Sequence, residues 1–254
     1  MTATKAQFRR AVGMEWVRLR SVRSSWLIAA LCLLVSGGLG LALAIYERDE
    51  VNLSLAGGVI NPGQPAPTPV LLGLLGVLAW GHDHRFGTIR PILAVVPRRG
   101  VLAAARIAVV TAFLAAVATA AVALAWLAGV LVTGGELAKY LDQDPVPRML
   151  LGSVLFGVGS GWLGMALGAL VRALPAAVAV LIVIPAMVEP LGGMVVGQIQ
   201  ENADLWLPFH AIGQILRAEP VPAGPSPAAG ALIFLTATLI ALAAAVLTFR
   251  RRDA

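Results

Sequence analysis

The sequence predicts an all-α membrane protein with six transmembrane helices, on three observations. The chain is 59% hydrophobic and only 13% charged, whereas a soluble domain is nearer half apolar and a quarter charged. Its apolar residues gather into six stretches, most of them near the roughly 17–25 residues that a helix needs to cross ~30 Å of hydrocarbon. Its basic residues sit at the ends of those stretches, mostly on one side. The spans are expected at 26–45, 68–81, 107–132, 149–170, 174–195 and 228–249, within one transmembrane domain over residues 1–254.

Residues 5–22 precede the first span and suit an amphipathic interfacial helix. Phe8, Val12, Trp16 and Leu19 fall near one helical face and arginines on the rest. Such a helix lies along the inner interface, its basic face toward anionic lipid and its aromatics among the headgroups. The plainer alternative is a basic flank without fixed geometry. The first span is about 20 residues long, and no A-x-A site follows it, so it is expected as a retained helix rather than a secretory signal. Cys32 lies inside it as inert packing.

In the second span Thr68 suits an N-cap and Pro69 the first helical position. Fourteen residues reach only about 21 Å, so this helix either thins the bilayer or sits within a bundle. Residues 82–106 then carry five arginines, Arg85, Arg90, Arg98, Arg99 and Arg106. Each would cost roughly 2.5–3.5 kcal/mol at mid-bilayer, so the island is expected in water. Its 88–96 run is amphipathic and helix-compatible, which suits a docking element better than a slack linker. The third span is long and is expected to project beyond the membrane at its Arg106 end.

In the fourth span Ser153, Gly157, Gly161, Gly164 and Gly168 fall within an arc of about 80° at ~100° per residue. Small residues let a second helix backbone approach closely, so the stripe marks a packing face within the chain or between two copies. The fifth span holds Glu189. This carboxylate is either a pathway site in the membrane or an interfacial group left outside by Pro185 and Pro190, if these end the helix early. Residues 197–227 contain Leu205-Trp206-Leu207-Pro208-Phe209, an apolar cluster that suits an interfacial or re-entrant segment.

Orientation follows from charge. With both termini inside, the cytoplasmic side holds 15 lysines and arginines and the other side 4, namely Arg48, Lys139, Arg148 and Arg217. Ten of the thirteen acids lie away from the cytoplasmic side. A bias of this size is the positive-inside signal, and it predicts cytoplasmic termini.

Other functions are disfavoured. The net charge of +6 is accounted for by the span ends, and no basic-aromatic groove suggests nucleic acid. No G-x-x-x-x-G-K-[ST] run is present, so the chain has no phosphate-cradling loop of that type. His82, His84 and His210 stand at span edges without metal-ligand spacing to an acid. Ser160 lacks the glycine two residues earlier that an intramembrane serine hydrolase would show, and no later span supplies a histidine base.

E-W-V-R-L-R-S-V-R-S-S-W at 15–26, then H-R-F-G-T-I-R-P-I-L-A-V-V-P-R-R-G-V-L-A-A-A-R at 84–106, and later L-P-F-H-A-I-G-Q-I-L at 207–216, together resemble the permease subunits of ABC-2 type transporters. The six-span layout covers essentially the whole chain. The resemblance implies a bacterial cytoplasmic-membrane exporter subunit with no cofactor of its own, ATP and magnesium being bound by separate cytoplasmic ATPase subunits. A second permease chain, identical or paralogous, would complete it. The family's connecting helix falls on residues 5–22 and its coupling helix on 84–96, with the ATPase contact on Arg85, Phe86, Gly87, Thr88, Ile89 and Arg90. Phe86 and Ile89 would be apolar knobs in an ATPase cleft, and Arg85 and Arg90 would pair with acids on its rim. Asp83 stands at the family's acidic position, and His84 where an aromatic is usual. The segment before the last span would form short re-entrant helices. The substrate expected of the apolar interior is a drug, lipid or amphipathic peptide. A stand-alone secondary transporter, or a non-transporting membrane subunit of a sensing or assembly complex, is the alternative.

Overall fold

A computed structural model describes residues 2–46, 67–86, 98–171 and 173–251. The described residues form helices α1 (Thr2–Ser21), α2 (Arg23–Tyr46), α3 (Pro67–Phe86), α4 (Arg99–Val132), α5 (Val146–Leu170), α6 (Leu174–Val183), α7 (Glu189–Ile199), α8 (Pro208–Leu216) and α9 (Pro227–Arg251). A π turn, Ile184–Val188, joins α6 to α7, and short 3₁₀ helices occupy Glu136–Tyr140 and Ala203–Trp206. Five helical stretches are long and apolar enough to cross a bilayer: α2, α4, α5, the continuous Leu174–Ile199, and α9. The protein is therefore a helical, multi-pass membrane protein by length and composition. Leu27, Leu34, Met194 and Ile240 are exposed around its circumference, a surface that hydrocarbon solvates and water does not.

The apolar part of α3, Pro67–Gly81, is shorter than these five. Of the two accommodations open to a short span, the structure adopts the bundle: Leu72, Leu75 and Trp80 are buried in the core with Leu114, Met165 and Leu242. The helix begins at Pro67, so Thr68 lies inside it and is not its cap. The Thr68 hydroxyl instead meets Ser36 of α2 at 2.7 Å, in a buried pair.

The α3–α5 seam explains the small-residue stripe. A Cβ at Gly164 would overlap the Gly73 carbonyl, one at Gly168 the Val77 carbonyl, and one at Gly76 the Gly161 carbonyl. Gly157 meets Leu72 and Gly161 meets Leu114 in the same way. The stripe thus faces α3 and α4 of its own chain, where bare backbone permits van der Waals contact between helix axes.

Pro185 and Pro190 do not end the fifth span. Neither has an N–H, and the chain passes them by slipping one register: the Glu189 N–H bonds to the Ile184 carbonyl, five residues back. A π turn absorbs the missing donors and lets α7 continue to Ile199.

Between α7 and α9 the chain turns back into the bundle. Phe209, at the start of α8, packs edge-on against Phe156 of α5 and Phe234 of α9, with ring centroids 6.1 and 5.1 Å away. The far end of α8 is held by Arg148, which donates to the carbonyls of Gln214, Ile215 and Ala218. The Gln214 and Ile215 carbonyls are among those that the end of a helix leaves without partners, and a cation there complements the helix dipole.

Candidate functional site

The chemistry-bearing residues cluster at the end of the bundle where α1, the last turns of α3 and the first turns of α4 meet. Glu15 on α1 is 4% exposed and Arg106 on α4 is 2% exposed. Arg106 Nε and Nη2 donate to Glu15 Oε1 at 3.1 and 2.8 Å. Arg18, one turn along α1, donates from Nη1 to Glu15 Oε2 at 3.1 Å and from Nη2 to the Ala79 carbonyl of α3 at 2.8 Å. The Arg106 guanidinium lies 4.8 Å from the Trp80 ring centroid, and Trp80 stands edge-on to Phe249 of α9 at 4.9 Å. Glu15 and Arg18 together therefore join α1 to both helices that flank residues 87–97, Glu15 through Arg106 of α4 and Arg18 through the Ala79 carbonyl of α3.

Local sequence accounts for the seating of α1. Ala11, Glu15 and Arg18 recur at helical spacing, and Ala11 is small enough to close against Leu102 and Ala105 of α4. Two charges can occupy this buried face only because they neutralise one another and share good geometry. The face is not the Phe8, Val12, Trp16 and Leu19 stripe. Val12 and Leu19 lie half-buried at its margins, while Phe8 and Trp16 are exposed, 37% and 48%. The aromatics thus remain available to an interface, and the protein-facing contact comes from the carboxylate.

The arginine island divides. Arg106 is not in water: its charge is matched inside the bundle, which removes the cost that places an unpaired arginine outside. Arg85 and Phe86 form the end of α3 rather than part of a separate helix beginning at residue 84. Gly87, Thr88, Ile89 and Arg90 lie outside the described residues. Arg99 opens α4, and its Nη1 is 3.5 Å from the Phe249 carbonyl of α9.

A second constellation sits at the opposite end. Glu189 is buried, and its Oε1 accepts the His210 backbone N–H at 2.7 Å and lies 3.0 Å from His210 Nδ1. Neither sequence alternative describes this arrangement fully: Glu189 is inside the continuous helix, yet paired with the start of α8. It lines a cavity of about 400 Å³ whose other walls include Leu163, Val188, Phe209 and Phe234. Among the described residues no three His, Cys, Asp or Glu side chains are grouped as metal ligands.

Sequence reasoning singled out Glu189 but missed both partnerships. Glu15 and Arg106 are 91 positions apart, and Glu189 and His210 are 21 apart. The available signal was charge at a helical position whose neighbours i−4 and i+3 also turn inward, as Ala11 and Arg18 do around Glu15. No protein-family model matches the chain, and no curated protein matches its sequence.

Proposed function

We propose that the chain is the membrane-spanning subunit of an ATP-driven ABC-2 type exporter, and that it moves a hydrophobic or amphipathic substrate across a bacterial cytoplasmic membrane. Separate cytoplasmic ATPase subunits bind ATP and magnesium, and a second permease chain completes the pathway. α3 crosses as the sixth span, and both termini face the cytoplasm. The observation that carries this is the buried Glu15–Arg106–Arg18 network, which clamps the N-terminal helix to α3 about two turns before its end at Phe86 and to α4 about two turns past its start at Arg99. A segment that receives a push from a partner needs stiff attachment on both flanks, and buried charge-assisted hydrogen bonds supply it. ATP-driven closure of the partner would displace the segment around Phe86, Thr88 and Ile89. α1, α3 and α4 would then move together and change the pathway between the two permease chains.

The test is to replace Phe86 and Ile89 by aspartate, singly and together, and measure co-purification with a co-expressed ABC ATPase from the same organism that the unaltered chain retains. The double variant is expected to lose most co-purification and any stimulation of ATP hydrolysis by the permease. Unchanged values of both would overturn the docking assignment.

A further inference from the structure

The cavity beside Glu189 is built unlike the rest of the interior. Its walls are apolar side chains from α5, the π turn, α8 and α9, and Val188 at its lip is 57% exposed. A void of about 400 Å³ lies within the roughly 300–1,000 Å³ of small-molecule sites. Into it the fold places a carboxylate. One oxygen, Oε1, is engaged by His210 twice, while Oε2 accepts no hydrogen bond from the described residues. One contact is the His210 backbone N–H; when the imidazole is neutral with its proton on Nδ1 it makes the other, and the carboxylate then keeps its full negative charge. The surroundings add to that charge: Asp204 packs against Gly193, one turn beyond Glu189. Of the groups acting electrostatically on His210, Glu189 and Asp204 are acidic and Arg217 basic. A carboxylate oxygen in apolar surroundings calls for a charged donor, and it repels an anionic amphiphile.

We propose that this cavity binds a lipophilic amine, with its ammonium on Glu189 Oε2 and its hydrocarbon body against Phe209, Phe234 and Leu163. The exposed lip at Val188 admits the ligand sideways from the bilayer. As the substrate class of an exporter this rests on the function proposed above; as a binding site it does not, and it is tested without any ATPase.

The assay is equilibrium binding of tritiated dodecylamine to the purified chain in nanodiscs, with empty discs as blank and unlabelled dodecanol and dodecanoate as competitors. Saturable binding of dodecylamine is expected, with dodecanol competing about tenfold more weakly and dodecanoate weaker still. Glu189→Gln keeps an oxygen for the His210 N–H, so the local fold is retained; it is expected to weaken dodecylamine about tenfold and abolish its preference over dodecanol. Gly192→Leu narrows the cavity from a wall position where an added Cβ meets nothing within 4 Å, and is expected to weaken amine and alcohol together. Equal wild-type affinity for amine and alcohol, or unchanged amine binding by Glu189→Gln, would overturn the proposal. So would absent saturable binding, and if Val188→Cys copies then cross-link to each other in membranes, a second copy of the chain fills the cavity instead.

Discussion

Replacing Glu15 by glutamine keeps the side-chain volume and removes a negative charge that faces both Arg106 and Arg18. Arg106, at 2% exposure, cannot recover solvation without opening the helix pair. Breaking a buried pair by removing one partner costs about 3–5 kcal/mol, a large share of the roughly 5–15 kcal/mol that holds a typical fold together. Arg106→Met costs less, about 2–3 kcal/mol, because Glu15 keeps Arg18 on Oε2 while its Oε1 loses both donors. In the double variant no buried charge is stranded, and methionine fills the space beside Trp80. Its loss should be about 1–2 kcal/mol, well below the sum of the singles, giving a coupling energy of at least about 3 kcal/mol. The measurement is SDS-induced unfolding of the reconstituted chain, followed by tryptophan fluorescence, since Trp80 borders the network. Single-variant losses that add to the double-variant loss within about 0.5 kcal/mol would refute the argument that Glu15 and Arg106 stabilise the bundle as a pair.

Two further outcomes follow from backbone geometry. Gly164→Val drives a side chain into the Gly73 carbonyl and should cost at least about 3 kcal/mol in the same unfolding assay, whereas Gly192→Ala, with open space around its Cβ, should be neutral or stabilise by up to ~1 kcal/mol. Arg148→Ala strips three carbonyl contacts from the end of α8; amide hydrogen exchange over residues 212–216 should rise about tenfold or more while exchange in α5 stays unchanged.

Much of the helical layout was legible because hydropathy and small-residue spacing are local. Apolar runs mark α2, α5 and α9 within about three residues at each end and the C-terminal end of α4, whose first eight residues lie outside the expected span, and the Gly157–Gly161–Gly164–Gly168 spacing identifies the close-packed face of α5 before its partner is known. Local rules failed where a neighbour changed the outcome. Thr68 looks like a cap, but its hydroxyl is engaged by Ser36 across a helix interface. Pro185 and Pro190 look like stops, yet one π-register bond carries the helix past them. Phe8 and Trp16 look like the organising face of α1, but Glu15 seats it.

From the sequence alone came the solvent of this protein and the scale of its elements: transfer of apolar side chains out of water depends on composition and run length, which any window of the chain displays. The pairing of its charges was decided by tertiary structure. An arginine costs several kcal/mol in hydrocarbon only while unpaired, and Arg106 is paired with a carboxylate 91 positions away that folding brings within hydrogen-bond reach. Hydropathy sums over neighbours in sequence, whereas desolvation and its compensation are settled among neighbours in space.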